Sequence, residues 1–309
     1  MIAAAIDIGT NTTLALLAES DGMGLRPIRD ELTVNRLGEA LREGPVLSGE
    51  IIALNVDLLA EIARDFRRAG ATEFVVVGTS ALRRAENRSE FAGAVHDIVG
   101  LTVEVIGGRD EAALTYLGAI SNREIYPGER VCVMDLGGGS TEIIEGRGNL
   151  PGQGYSIDVG SSYLTNEFFA EDPPPASAIA NLRDSLRKRL PPLVNKLRGA
   201  KMPWILVGGT VVTLAILKAG LRRYDPQAIG GSFMQRSDIQ KLIEGFTGRP
   251  SLELQNLPGM PAGRGRTILA GAILLDEMFD ALDMEEGVVS ERGLRHGLWL
   301  AKFGDRKEP

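Results

Sequence analysis

An α/β fold built from two similar halves is what the sequence predicts, on three observations. Short apolar strand patterns alternate with helical ones through the first third of the chain, the order of an α/β sheet. One outline occurs twice, as AIDIGTNTTLALLAE near the start and as VCVMDLGGGSTEIIEG from Val131: apolar strand, Asp-x-Gly, small hydroxylic residues, second strand. The chain has 309 residues, about twice a common single-domain size, so two packed domains fit its length.

In chain order, residues 2–8 (IAAAIDI) and 14–19 read as two strands joined by a polar turn. Ile51, Leu54, Leu58, Ile62 and Phe66 recur at spacings of three and four, which predicts a helix over 48–69. FVVVG at 74–78 and VEVIG at 103–107 are further strands, separated by a helix around 89–99. After Tyr126-Pro127-Gly128 the pattern restarts. The break between Ser121 and Gly128 is therefore the expected boundary, with domains at 1–122 and 123–298, and PPP at 173–175 a loop inside the second half.

Composition excludes several classes. With 44% hydrophobic and 24% charged residues the chain can bury a sizeable core and does not read as disordered. A single cysteine, Cys132, forbids an internal disulfide, and its apolar strand makes it a core thiol. The N-terminus lacks a basic leader region and no segment approaches the ~20 apolar residues of a membrane span, so a cytoplasmic protein with no membrane partner is expected. A net charge of −7 argues against specific nucleic-acid binding while leaving room for a local basic pocket. Only two histidines are present, His96 and His296, and neither sits in a zinc or triad motif. Walker and Rossmann phosphate loops are missing as well. Any metal is then a hard, oxygen-ligated ion, with Mg2+ the natural choice among divalent cations.

VCVMDLGGGSTEII ends a buried strand in Asp135 and three glycines. Gly137, Gly138 and Gly139 let backbone N–H groups approach a ligand closely and form, with Ser140, a nest for phosphate. Asp135 can hold a cation or its water, and Glu142 can reach the same place. A tight hairpin with a capping Asp is the alternative. The second Asp-x-Gly loop, Asp7 with Thr10, Asn11 and Thr12, favours the ligand reading, because random hairpins need not come in matched pairs. GGTVVTLA at 208–215 places Gly208, Gly209 and Thr210 at a helix N-terminus, where free N–H groups attract anions, although a close-packed turn explains it as well. GTSALRR at 78–84 sets Thr79 and Ser80 at another helix start with Arg83 one turn on. Glu111 follows the strand VEVI. It is either a partly buried base for water or, with Asp110, a first-turn complement to the helix dipole.

Taken in order, AIDIGTNT, GTSALRRAEN, VEVIGGRDEAALTYLGA, VMDLGGGSTEI, VGGTVVTLA, AGAILLDEM and VSERGLRHG resemble the exopolyphosphatase and guanosine pentaphosphate phosphohydrolase (Ppx/GppA) family, within the actin-like ATPase and sugar-kinase superfamily. The resemblance implies two actin-like (ribonuclease H-like) domains with a cleft between them, the paired loops facing across it, and residues 299–309 returning to the first domain. It makes Glu111 the carboxylate that activates water, with Asp135, Glu142 and Asp7 as metal and water-positioning carboxylates, and Arg83, Arg264 and Arg266, each beside a matched motif, are the expected arginine contacts for a polyanion. Two positions depart from the family pattern. Arg266 stands where the family has an acid in Arg-x-Asp, and His296 replaces the glutamate of a closing LREG. The chain also lacks the C-terminal helical extension of longer members, which implies no second platform for very long polymers.

The expected activity is Mg2+-dependent removal of the terminal phosphate of inorganic polyphosphate. Guanosine pentaphosphate is the alternative substrate, since it presents the same anhydride. An ATP-dependent kinase relative and a non-catalytic polyphosphate or nucleotide sensor are the readings from other classes, and a homodimer is admissible.

Overall fold

A computed structural model describes residues 1–20, 24–42, 44–123, 128–194, 197 and 201–304. The chain divides into two units, Met1–Ile125 with Arg292–Pro309, and Tyr126–Glu291. The break anticipated at 121–128 and the returning tail at 299–309 fall partly on 124–127 and 305–309, outside the described residues. The return to the first unit begins at Arg292, ahead of 299, because the whole last helix belongs there.

In the first unit the strands are β1 (Ile2–Ile8), β2 (Thr12–Ser20), β3 (Leu25–Val34), β4 (Glu73–Gly78) and β5 (Val103–Val105), in sheet order β3-β2-β1-β4-β5. β1 runs antiparallel to β2 and parallel to β4, and β5 is parallel to β4. The helices are α1 (Leu37–Ala40), α2 (Gly49–Arg68), α3 (Ser80–Arg84), α4 (Arg88–Val99) and α5 (Gly108–Ile120). The second unit repeats the plan with β6 (Arg130–Leu136), β7 (Thr141–Arg147), β8 (Leu150–Ile157), β9 (Trp204–Val207), β10 (Phe233–Gln235) and β11 (Glu286–Val289), in order β10-β11-β9-β6-β7-β8. Its helices are α6 (Ser161–Phe168), α7 (Ala176–Arg189), α8 (Pro191–Val194), α9 (Gly209–Lys218), α10 (Pro226–Ile229), α11 (Arg236–Phe246), α12 (Ser251–Gln255) and α13 (Ile268–Leu282); α14 (Leu294–Phe303) closes the first unit. Read from β8, the second sheet has the pairing order and strand directions of the first, with β10 added at its edge. These are two actin-like α/β units.

β1 shows why the strand reading at 2–8 works. Ala4, Ile6 and Ile8 point into one apolar core with α2 and α4, while Ala3 and Ala5 point into another with Leu294, Leu298 and Trp299 of α14. A strand buried on both faces reads as one apolar run. Sequence reasoning passed over β3, β8, β10 and β11: β3 and β8 are mostly polar and lie at sheet edges, where no apolar alternation is needed, and β10 and β11 have only three and four residues.

α5 and α14 meet backbone to backbone. A Cβ on Gly297 would collide with the Leu114 carbonyl, and one on Gly118 with the Gly293 carbonyl. Trp299 Nε1 donates to the Ala3 carbonyl at 3.0 Å and locks α14 on β1. Helix propensity alone would favour Gly297→Ala by up to about 1 kcal/mol, but overpacking costs roughly 1–3 kcal/mol or more. Gly297→Ala is therefore expected to lower the urea midpoint, whereas Gly93→Ala, on an open face of α4 with nothing within 4 Å, should raise it. Equal shifts in both would contradict the close contact.

His296 has a structural role at the start of α14. It is the third residue of α14, and its Nδ1 accepts from the Gly293 N–H at 3.4 Å, the task of a glutamate at that position of a capping box. Burial first, then Arg295 and Arg292, pushes its pKa well below the ordinary range, so the ring is neutral at physiological pH. Among the described residues no helix is long and apolar enough to cross a membrane.

Candidate active site

In the first unit three chain segments leave the sheet side by side. Asp7 lies near the end of β1, opposite Val77 of β4, and Gly78 in turn pairs with Val105 of β5. The loop Gly9–Asn11, the start of α3 and the start of α5 thus extend from the carboxyl ends of three parallel neighbours, the edge at which open α/β sheets bind ligands. Gly9 N–H donates to the Thr12 carbonyl at 3.0 Å, closing the loop that carries Thr10 and Asn11. Thr79 spends its hydroxyl on the Ile8 carbonyl at 3.4 Å, which ties β4 to β1. Ser80 next to it has a buried hydroxyl with no hydrogen-bond partner among the described residues. Of this pair, Ser80 is the group with unused bonding capacity.

Glu111 sits at the end of the first turn of α5, which begins at Gly108. Its carboxylate is buried while Asp110 is exposed. Arg83 Nη1 donates to Glu111 Oε2 at 2.5 Å and to the Ile106 carbonyl at 3.2 Å. Arg83, expected as a substrate contact, is therefore first a partner of the candidate base, and it fixes the direction of that carboxylate. Partial burial of both groups makes the pair stronger than a solvated surface ion pair.

The second unit brings four segments together. Asp135 and Glu142 are directly opposed in the β6–β7 register, so both carboxylates lie on one face of the sheet. Ser156 of β8 donates its hydroxyl to Glu142 Oε1 at 2.7 Å. Between β6 and β7, the Gly137 N–H donates to the Ser140 carbonyl at 3.0 Å, the same closure at the same distance as in the Gly9 loop. The N-terminus of α6 backs this loop: Ser161 N–H donates to Gly137 O at 3.0 Å, and Ser162 and Tyr163 N–H to Gly138 O at 2.8 and 3.1 Å. With those carbonyls held behind, the glycine loop presents its N–H side in front, as an anion nest requires.

Gly208 caps α9 at φ +101, a conformation open to glycine, and a Cβ there would lie 2.7 Å from Asp135 Oδ1. A Cβ on the next residue, Gly209, would collide with Arg264 Nη2. Arg264 is thus buried against the first turn of α9, where Thr210 also lies. Burial pushes its pKa down to about 10, which leaves it protonated at neutral pH, and no hydrogen bond or ion pair from its guanidinium is present among the described residues. A buried cation at a helix N-terminus without an anion is an incomplete electrostatic site. Arg266, two residues on, is exposed.

Among the described residues no three His, Cys, Asp or Glu side chains form a metal-holding group. The opposed pair Asp135 and Glu142 fits Mg2+, which is commonly held by one or two carboxylates with substrate oxygens and water completing the octahedron. Sequence reasoning missed Ser156, the α6 N-terminus and Asn35, which backs the first loop. Gly160-Ser161-Ser162 before the apolar positions of α6 was a usable helix-start signal. A lone Asn before a four-residue helix carried none.

Comparison with known proteins shows the family. The family model of the Ppx/GppA phosphatase family matches residues 16–305. Exopolyphosphatase 2 of Mycobacterium tuberculosis is 31% identical over 97% of this chain and 98% of its own length. The crystal structure of the Aquifex aeolicus Ppx/GppA family member superposes with a TM-score of 0.84 at 30% identity, covering 100% of this chain and 99% of that one. An exopolyphosphatase-like protein of known structure superposes with a TM-score of 0.89 at 28% identity over 97% of both chains. Matched along nearly its whole length by the family model, and by relatives of similar length that are 30–31% identical, the chain belongs to the Ppx/GppA phosphatase family.

Proposed function

We propose that the protein is an exopolyphosphatase that hydrolyses the terminal phosphoanhydride of inorganic polyphosphate with a divalent cation, Mg2+, bound. The buried, unpaired Arg264 guanidinium at the start of α9 carries this reading, because it calls for an anion beside the glycine loop and the Asp135–Glu142 pair. The similarity to exopolyphosphatase 2 supports the choice of polymer.

In this reading the N–H groups of Gly137–Ser140 and of Gly208–Thr210, with Arg264, hold phosphate oxygens of the substrate. Within the first unit, Thr10, Asn11, Thr12 and Ser80 are the groups offered to phosphate, and Thr79 positions Ser80. Mg2+, when bound, neutralises phosphate charge and lowers the barrier to attack at phosphorus; Asp135 and Glu142 are the residues to hold it, with Asp7 as a third oxygen donor. Glu111 takes a proton from water as its oxygen attacks the terminal phosphorus and the bridging P–O bond breaks. The products are orthophosphate and a polymer one phosphate shorter. Arg83 keeps Glu111 aimed throughout.

Release of orthophosphate from polyphosphate, guanosine pentaphosphate and ATP, each with and without Mg2+, tests the proposal. Release from polyphosphate at least tenfold faster than from the two nucleotides, and only with the cation, is expected. Faster release from guanosine pentaphosphate would move the substrate within the family's chemistry. Binding of polyphosphate without release from any of the three would make the protein a sensor, and phosphate transfer from ATP to an acceptor would make it a kinase.

A further inference from the structure

The two phosphate loops are built alike and held differently, and the difference lies in Asn35. An anion nest works only if the loop carbonyls are turned away from the ligand and satisfied elsewhere. In the second unit the first turn of α6, an eight-residue helix, does this through the backbone amides of Ser161, Ser162 and Tyr163. The corresponding helix of the first unit, α1, has only four residues and starts after Arg36, whose φ of 60 turns the chain sharply. It offers one amide to the loop, Gly38 N–H to Thr10 O at 2.6 Å.

Asn35 supplies the rest. Its Nδ2 donates to Gly9 O at 2.8 Å and to Thr13 Oγ1 at 3.3 Å, and its own N–H donates to Asn11 O at 2.9 Å. Its Oδ1 accepts from Leu37 N–H at 3.1 Å, so neither end of the amide is free to rotate. Asn55 Nδ2 braces its carbonyl at 3.1 Å, and the side chain is wholly buried. With Gly9 N–H on Thr12 O, all four carbonyls from Gly9 to Thr12 are engaged.

We infer that Asn35 is a positioning residue for phosphate binding, a side-chain substitute for the helix N-terminus that holds the matching loop of the second unit. The inference rests on the proposed reading of the Thr10–Thr12 loop as a phosphate contact. It makes the first loop alterable by one side chain, whereas the second is held mainly by three backbone amides of α6, with the Ser161 hydroxyl adding a longer bond to Gly137 O at 3.4 Å, and only proline would remove such an amide.

Asn35→Ala is compared with Asn87→Ala. Asn87 is an asparagine of the same unit that likewise bonds two backbone groups, of Leu47, away from the loop. Hydrogen exchange at Gly9–Thr13, the urea midpoint, and KM and kcat for polyphosphate with Mg2+ are measured on both. The expected result is at least tenfold faster loop exchange and about tenfold higher KM in Asn35→Ala, with kcat within about threefold, the pattern of lost binding common to ground and transition states. Asn87→Ala should lower the urea midpoint comparably and leave loop exchange and KM within about twofold. If Asn35→Ala does not fold, Asn35→Ser, too short to span to Gly9 O, takes its place. Parental loop exchange and KM in the Asn35 variant would overturn the inference while polyphosphate hydrolysis by the parent stands. Faster loop exchange in a protein whose parent does not act on polyphosphate would uphold the positioning role and remove the proposed function instead.

Discussion

Glu111→Gln is expected to lower polyphosphate turnover by roughly 10²- to 10⁴-fold while the polymer still binds. The amide keeps the size of the carboxylate, and its Oε1 can still accept from Arg83 Nη1, so the 2.5 Å contact has a neutral equivalent. What it loses is the capacity to take a proton from water. Removal of a proton acceptor without removal of shape separates a base from a structural first-turn acid, and single-turnover hydrolysis beside equilibrium binding reads the two apart. Arg83→Ala is expected to act on the same step, because it frees the carboxylate to swing. Its loss should appear in kcat as well as KM, unlike that of an arginine that touches only substrate. A Glu111→Gln protein that hydrolyses at the parental rate would sink the assignment and return the sensor and kinase readings.

What sequence reasoning reads most directly is local. The doubled Asp-x-Gly outline was legible because its residues are consecutive, and the Gly9 and Gly137 loops share a 3.0 Å closure. β1, buried on both faces, announced itself as an apolar run, while β3 and β8 did not, since an edge strand in water has no obligatory period. Partnerships across the chain were out of reach. Arg83 and Glu111 stand 28 residues apart, and nothing in either motif says that one arginine would spend its charge on the other motif's carboxylate. Asn35 lies 26 residues from Gly9 and is defined by what α1 lacks. His296 carried no signal of its partner in the sequence, and its ring nitrogen accepts from the Gly293 N–H at the start of its own helix.

Arg264→Met is expected to give a protein that is no less stable without ligand and that phosphate stabilises much less. The guanidinium is buried against α9, carries its charge at neutral pH, and has no counter-ion among the described residues. Desolvation of a charge without compensation costs several kcal/mol, and replacement of buried ionic groups by apolar residues of similar volume is often neutral or stabilising by about 1–4 kcal/mol. The unliganded variant should therefore melt at or above the parental temperature. With ligand the order reverses. A charge-assisted hydrogen bond contributes about 1.5–3 kcal/mol, so affinity for a phosphate oxygen should fall by roughly 10- to 150-fold. In the parent, anion at a hundredfold excess over Kd adds about 2.7 kcal/mol of stability, roughly 5 to 10 °C for a unit of this size, and in Arg264→Met the same anion concentration should add only about 0.3–1.4 kcal/mol. Thermal unfolding of both proteins with and without tripolyphosphate measures each half of the expectation. Retention of the parental shift in the variant would mean that the charge is held for the fold and that the phosphate is bound elsewhere. A variant that melts well below the parent without ligand would mean that the buried cation is already compensated inside the protein, and the strongest support for an anion beside the glycine loop would go with it.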